Sequence, residues 1–217
     1  MPTRTSKLLA KKRIGEILKR LARAYPDART SLNYRTPFEL LIATILSAQC
    51  TDERVNQVTK TLFKKYPRPE DYLKVPEEEL QNDIRSTGFF RNKTKSIRGT
   101  SQKLIDSFGG KVPKTMDELL TLPGVARKTA NVVLGSAFGI TSGIVVDTHV
   151  NRVSRRLGLT KQEAPEKIEQ DLIKLVPEKE WISFGHRIIL LGRYVCKASN
   201  PDCPDCPLND LCPSSTV

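Results

Sequence analysis

Four cysteines near the end of the sequence could bind a metal together. They follow the spacing C-x6-C-x2-C-x5-C, and they are Cys196, Cys203, Cys206 and Cys212. Prolines recur among them, which predicts a loop with little core of its own. Four thiolates in so short a segment suit an S4 cage around a zinc ion or an iron–sulfur cluster. The spacing does not decide between these two, and two disulfides are a third interpretation.

A second candidate site lies in residues 122–130, LPGVARKTA. The Pro-Gly pair predicts a tight turn, and the residues after it predict the first turn of a helix. N–H groups in the first turn of a helix, aided by the helix dipole, bind anions such as a DNA phosphate. This pattern is typical of a helix-hairpin-helix motif, which holds the DNA backbone without reading base sequence. We therefore predict DNA contacts at Gly124, Ala126 and Arg127; an ordinary turn between two helices is the alternative.

Lys128 and Asp147 are the residues best placed for catalysis. Lys128 falls on the first turn of the helix after the hairpin, where it would bind phosphate or, if its amine is held unprotonated, act as a nucleophile. Asp147 follows an apolar stretch and precedes a predicted helix, which is the pattern of a helix N-cap. A capping carboxylate that also faces a cleft can serve in catalysis.

Helical periodicity governs the elements that must position these residues. An apolar stripe near the N-terminus consists of Leu8, Leu9, Ile14, Ile17, Leu18, Leu21 and Tyr25. Residues 36–39, TPFE, predict a helix start with a capping threonine, and the segment 38–48 is apolar on nearly every side. A buried central helix is expected there, followed by a helix from Asp52 through Tyr66.

Further helices are predicted along the rest of the chain, with glycine or proline at most of the joints. Their approximate bounds are 69–74, 77–85, 91–107, 115–121, 126–137, 148–157, 163–175 and 179–193. No convincing period-2 strand is present. The fold class is therefore all-α, with about ten helices.

The charge balance points to a polyanionic partner. The chain has 36 lysines and arginines against 24 aspartates and glutamates, a formal net charge of +12. Such an excess favours nucleic acid or an acidic membrane face. Polar residues and glycines interrupt the most apolar stretch, 130–146, so no membrane-spanning helix is expected, and no signal-peptide core is recognisable. We expect a cytoplasmic protein with no membrane partner.

Taken in order, these motifs resemble the endonuclease III family, the bifunctional DNA glycosylase/AP lyase branch of the helix-hairpin-helix glycosylases. The resemblance spans from about Arg13 to Cys212. Besides the hairpin, the cysteines and residues 146–149 (VDTH), it includes residues 37–42 (PFELLI), 46–49 (LSAQ), 51–52 (TD) and 192–194 (GRY).

The resemblance implies two domains. A six-helix barrel domain with the helix-hairpin-helix would run over residues 30–141, and residues 1–29 with 142–217 would form a domain bearing a [4Fe-4S] cluster on the four cysteines. A cleft between the domains would hold double-stranded DNA with a damaged base or an abasic site, with Lys128 and Asp147 on opposite walls. A monomer associated with the bacterial nucleoid is expected.

The implied activity is removal of oxidised pyrimidines and cleavage of the strand 3′ to the abasic site. Lys128 would attack C1′ of the flipped nucleotide and form a Schiff base, and β-elimination would follow. Asp147 would stabilise positive charge at the sugar or help to deprotonate the lysine. By the same resemblance Gln49 fills the gap in the duplex and Phe89 is an intercalating wedge. A helix-end amide and a core aromatic are the alternatives for these two residues.

Some residues depart from the family pattern. Ala126 stands where glycine is common. The cysteine loop carries more acidic than basic residues, which disfavours a phosphate contact by that loop. Phe89 is bulkier than the aliphatic wedge often found there. The sequence offers an alternative source of phosphate contacts in a basic run predicted on one helix: Arg91, Lys93, Lys95, Arg98 and Lys103. A solvated helix face is the alternative for this run.

Two competing functions remain open from the sequence alone. One is a monofunctional glycosylase of the same fold, although the adenine-removing relatives lack a lysine where Lys128 stands. The other is a non-catalytic DNA-binding or redox-sensing iron–sulfur protein.

Overall fold

The computed structural model of the protein describes residues 4–217, with the side chains of residues 4–11 outside the description. Leu8 and Leu9 of the predicted apolar stripe therefore lie outside the described side chains. All regular secondary structure in the described range is helical, which confirms the all-α prediction. The helices are α1 (Arg4–Ala24), α2 (Pro37–Leu46), α3 (Asp52–Lys65), α4 (Pro69–Lys74), α5 (Glu77–Ile84), α6 (Phe90–Phe108), α7 (Met116–Leu120), α8 (Arg127–Phe138), α9 (Thr148–Arg156), α10 (Pro165–Leu175) and α11 (Trp181–Tyr194).

Short 3-10 turns cover Arg85–Thr87, Glu178–Glu180 and Asn209–Leu211. The predicted helix over 38–48 ends earlier, at Leu46, because the chain turns there: Ala48 N–H donates to Ile45 O and Cys50 N–H to Ser47 O. Gln49, between them, has a left-handed backbone with φ of 53°. Within residues 4–217, no helix is long and apolar enough to cross a membrane.

The described chain divides into two compact units. One, here called the hairpin unit, is Thr30–Ser142; the other, the cysteine unit, consists of the residues up to Arg29 together with Gly143–Val217. Each unit has its own hydrophobic core.

The core of the hairpin unit is built around α2. Leu40, Leu41 and Ile42 have no exposed surface, and α2 packs against α3, α6 and α8. A helix buried on every face explains why its sequence has no polar side. Its one buried carboxylate, Glu39, is compensated by the Arg35 guanidinium at 2.7 Å and by the Arg35 backbone N–H at 2.6 Å.

The core of the cysteine unit joins α1 to the helices that follow residue 143. Ile17 and Leu21 of α1 are fully buried, as are Val150 of α9 and Phe184 of α11. Gly192 lets α11 approach α9 closely, because a Cβ there would lie 2.9 Å from the Cβ of His149.

The N-cap of α2 gives the first testable prediction. Thr36 has an extended backbone and its Oγ1 accepts a hydrogen bond from Glu39 N–H at 3.1 Å. Thr36→Ala should lower the free energy of unfolding by about 1 kcal/mol, since that donor loses its partner. Urea denaturation of the full-length protein measures this, with Thr36→Ser as the control that keeps the hydroxyl. Equal unfolding midpoints for the two variants would contradict the capping role.

Candidate nucleic-acid interface and cysteine loop

The predicted Pro-Gly turn joins α7 to α8. Val125 N–H donates to Leu122 O at 3.1 Å and closes the turn, and α8 begins at Arg127. Gly124 has φ of +76°, a conformation that L-residues rarely adopt. A Cβ at Gly124 would also lie 2.5 Å from Ser96 Cβ and 2.6 Å from Ser96 Oγ. Glycine is therefore required at this position for two independent reasons.

Helix α6 holds the hairpin in place within the same unit. Thr100 Oγ1 donates to the carbonyl oxygen of Pro123 at 2.6 Å. A Cβ on Gly99 would lie 3.0 and 3.1 Å from two ring carbons of Pro123, so the proline ring packs directly on the α6 backbone. The turn thus packs directly against small residues of α6. This packing fixes the direction in which α8 begins.

The first turn of α8 has no side-chain cap. Ala126 is the N-cap residue, and its φ of −92° and ψ of 170° are ordinary extended values. Alanine in place of glycine therefore needs no unusual backbone here. Its methyl group cannot accept a hydrogen bond, unlike the threonines that cap α2 and α3. Arg127 and Lys128 both have exposed side chains on this first turn.

Asp147 is the N-cap of α9, as its sequence context predicts. Its Oδ1 accepts a hydrogen bond from Val150 N–H at 2.8 Å, and its side chain is half-buried. The cap fixes the orientation of the carboxylate. Asp147 belongs to the cysteine unit and Lys128 to the hairpin unit.

Gln49 and Phe89 share an uncommon backbone conformation. Among the described residues, the non-glycine positions with positive φ are Gln49 at 53°, Phe89 at 47° and Asn200 at 52°. Such conformations cost about 1–3 kcal/mol each and cluster at functional sites. Both Gln49 and Phe89 are exposed, and 62% of the Phe89 surface is accessible, which is unusual for so large an apolar residue.

The predicted DNA contact at Lys93 is wrong. Lys93 is only 5% exposed, and its Nζ donates to the carbonyl oxygens of Leu46 and Thr87, each at 2.7 Å. The reason is helical geometry: Lys93 is two positions from both Arg91 and Lys95, so it points to the opposite side of α6. Burial lowers the pKa of the Lys93 ammonium.

The rest of the predicted basic run divides in the same way. Arg91, Lys95 and Lys103 are exposed. Arg98 is half-buried, and its Nη1 donates to the carbonyl oxygens of Tyr72 at 3.0 Å and Val75 at 2.8 Å. Arg98 therefore closes the C-terminal end of α4, and the exposed positions alone remain available for phosphate.

The four cysteines of the loop are half-buried, and none of them forms a disulfide. Burial raises the pKa of the Cys206 thiol, and negative charge on Cys196, Cys203 and Cys212 acts in the same direction. Within residues 4–217, no three His, Cys, Asp or Glu side chains close on a single metal ion.

Arginines from α1 and α9 hold the cysteine loop. Arg13 Nη2 donates to the carbonyl oxygen of Leu211 at 2.8 Å, and Arg152 Nε to that of Cys196 at 3.2 Å. Arg156 Nη1 lies 3.3 Å from the Cys196 sulfur and donates to the carbonyl oxygen of Lys197 at 2.6 Å. These bonds supplement the packing of Leu208, which is fully buried in the core of the cysteine unit.

Arg20 also alters the charge of this loop. Its Nη2 donates to Asp210 Oδ2 at 3.1 Å, and the guanidinium holds the pKa of that carboxyl below its usual range. Sequence reasoning missed all four arginines, although the four-residue spacing of Arg152 and Arg156 indicated a shared helix face. One of the acidic charges predicted to weaken the loop is therefore compensated within the protein.

Family models match both parts of the chain. Residues 42–178 match the model described as the HhH-GPD superfamily base excision DNA repair protein. Residues 196–212, which begin and end at a cysteine, match the iron-sulfur binding domain of endonuclease III.

Known proteins agree with these matches along almost the whole sequence. The chain is 56% identical to the endonuclease III of Synechocystis sp. and 52% identical to that of Bacillus subtilis, in each case over 94% of both chains. A solved non-covalent endonuclease III–DNA complex is 51% identical, with a TM-score of 0.89 over 99% of this chain and 97% of that one. A trapped endonuclease III–DNA covalent intermediate gives the same values. The chain therefore belongs to the endonuclease III family of the HhH-GPD superfamily, base excision repair DNA glycosylases with AP lyase activity that carry a [4Fe-4S] cluster.

Proposed function

We propose that this glycosylase acts on oxidised pyrimidines in double-stranded DNA and uses Lys128 as its nucleophile. The observation that carries the proposal is the exposed amine of Lys128 on the first turn of α8, directly after the hairpin fixed by Gly124. An amine at that place stands beside N–H groups suited to a DNA phosphate. The trapped covalent intermediate of the similar endonuclease III supports a covalent route.

The proposed reaction joins base removal to strand cleavage. Lys128 Nζ attacks C1′, the damaged base departs with the bonding electron pair, and the opened sugar becomes a Schiff base on the lysine. Loss of a proton from C2′ then expels the 3′ phosphate by β-elimination, and water releases the sugar remnant from the lysine. The Asp147 carboxylate stabilises the positive charge that develops at the sugar or accepts the proton of the attacking amine.

The remaining DNA contacts are proposed on exposed residues of the hairpin unit. Backbone groups at Gly124 and Ala126, with the Arg127 side chain, hold a phosphate, and the exposed guanidinium of Arg91 adds positive charge. Gln49 enters the gap left by the flipped nucleotide. Phe89 wedges between bases and offsets part of the unstacking cost.

The domain organisation and the cluster ligands complete the proposal. The hairpin unit is proposed as the barrel domain and the cysteine unit as the cluster domain, in a monomer that works on the bacterial nucleoid. The four half-buried thiols of Cys196, Cys203, Cys206 and Cys212 fit an all-thiolate ligand set. When bound, the cluster cross-links four points of a loop that is otherwise held by arginine hydrogen bonds.

Removal of the proposed nucleophile is the first functional test. Lys128→Ala should reduce the covalent adduct formed with abasic-site DNA and sodium borohydride to background, because no amine remains to form the Schiff base. Gel electrophoresis of the trapped complex measures this. Lys60→Ala, which removes another exposed lysine of the same unit, is the matched control. An undiminished adduct in Lys128→Ala would assign the chemistry to another amine.

Asp147→Asn separates the capping role from the catalytic role. Asparagine caps a helix about as well as aspartate, so the melting temperature should be retained while turnover falls by about 10²- to 10⁴-fold. DNA affinity should also be retained. Asp147→Ala, which loses both cap and carboxylate, is the companion variant. Wild-type turnover in Asp147→Asn would remove the carboxylate from the mechanism.

The cluster ligands are tested by composition. Cys203→Ser should lose the brown colour of the purified protein together with most of its iron and sulfide, since one thiolate is missing. Cys50→Ser is the control, because Cys50 lies outside the matched iron–sulfur region. A Cys203→Ser protein with its full iron and sulfide content would exclude this cysteine as a required ligand.

A further inference from the structure

The buried ammonium of Lys93 joins two separate segments of the hairpin unit. Its Nζ donates at 2.7 Å to the carbonyl oxygen of Leu46, the last residue of α2, and at 2.7 Å to that of Thr87, the last residue of a 3-10 turn. Both oxygens lie within hydrogen-bond distance of the same nitrogen, Lys93 Nζ. Their separation therefore cannot exceed twice 2.7 Å while both bonds are intact.

The two segments that Lys93 joins carry the two residues proposed to enter the DNA. Gln49 follows Leu46 by three residues, and Phe89 follows Thr87 by two. Both have left-handed backbones, with φ of 53° and 47°. Such conformations persist in non-glycine residues only where the surroundings over-determine them. Each segment is otherwise closed by its own short-range bonds, such as Cys50 N–H to Ser47 O and Gly88 N–H to Arg85 O.

We propose that Lys93 is a positioning residue that sets the spacing between Gln49 and Phe89 by tying the end of α2 to the turn before α6. This inference rests on the proposed roles of Gln49 and Phe89 in DNA. These two hydrogen bonds of Lys93, here called the tie, also satisfy the carbonyl oxygen of Leu46. As the last residue of a helix, Leu46 has no intrahelical partner for that oxygen. Because only 5% of the Lys93 residue is exposed, the bonds of its ammonium to the carbonyls face little competition from water.

Binding to a damaged site depends on the spacing between Gln49 and Phe89 more than binding to an intact duplex does. An amide that fills the gap and a wedge that opens the stack must reach the DNA together, and each is useless when displaced by an ångström or so. Contacts to phosphate, by contrast, are tolerant of small shifts. Loss of the tie should therefore weaken recognition of an abasic site much more than binding to undamaged DNA.

Lys93→Met tests the proposal, because methionine keeps the unbranched apolar part of the lysine side chain and removes the charge and the donors. Two duplexes of one sequence serve as probes, one with a tetrahydrofuran abasic-site analogue and one undamaged. Fluorescence anisotropy gives the affinity for each, and 2-aminopurine opposite the analogue reports unstacking. Lys93→Met should lower the affinity ratio of the two duplexes by about tenfold, as expected for lost hydrogen bonds to a charged group, and reduce the 2-aminopurine signal. Lys93→Arg should restore part of both.

Arg98→Met is the matched control for a purely structural effect. Arg98 lies on the same helix and also donates to backbone carbonyls, but these belong to the end of α4, which carries neither Gln49 nor Phe89. It should lower the melting temperature and leave the affinity ratio unchanged. If Lys93→Met behaves in the same way as Arg98→Met, the positioning role is overturned. Should Lys93→Met fail to fold, Lys93→Gln takes its place with the same expected result, because it removes the charge and its amide nitrogen ends one atom short of the position of the lysine Nζ.

Gln49→Ala and Phe89→Ala separate this inference from the function on which it rests. Each should lower the affinity ratio in the wild-type background, and each should add less in the Lys93→Met background, since the tie acts through them. If the losses in affinity ratio are fully additive in the double variants, the positioning role of Lys93 is overturned, while the proposed roles of Gln49 and Phe89 stand. Unchanged ratios for both single variants in the wild-type background would overturn their proposed roles, and the inference with them.

Discussion

The close packing of the Pro123–Gly124 turn against α6 is the constraint on which the hairpin unit depends. The Thr100 hydroxyl bonds the Pro123 carbonyl, Gly99 accepts the proline ring, and a side chain at Gly124 would collide with Ser96. These contacts set where α8 begins and therefore where Lys128 lies. The same helix starts directly after Phe89 and carries Lys93, whose ammonium reaches the end of α2. One helix thus places the hairpin, Phe89 and the loop that bears Gln49.

Local rules were sufficient where a residue acts on its own neighbours. The Thr36 cap, the turn at Pro123–Gly124 and the capping role of Asp147 follow from the few residues around each position, whereas the clash of a Gly124 side chain with Ser96 does not. Lys93 shows where such rules stop. The sequence marks it as one more charge in a basic run, whereas its partners are carbonyls of Leu46 and Thr87, one of them far away in the chain. Helical spacing predicts that it faces away from Arg91 but cannot name what it meets.

In the cysteine unit, the proline-rich loop is stabilised by hydrogen bonds as well as by the packing of Leu208 in the core. Guanidinium groups from α1 and α9 satisfy its backbone carbonyls, and Arg20 offsets the charge of Asp210. Cysteine spacing alone left zinc and iron–sulfur open, because both accept four thiolates. The family comparison decided between them, since the matched iron–sulfur region begins at Cys196 and ends at Cys212.

The proposed mechanism depends on which nitrogen becomes bonded to the sugar. Peptide mapping of the borohydride-trapped complex by mass spectrometry answers this in the unmodified full-length protein, without relying on the folding of any variant. After nuclease and protease digestion, the sugar remnant should be found on the peptide that contains Lys128 and on its Nζ. A remnant on another lysine or on the N-terminal amine would contradict the assignment. The hairpin would then have phosphate binding as its only role.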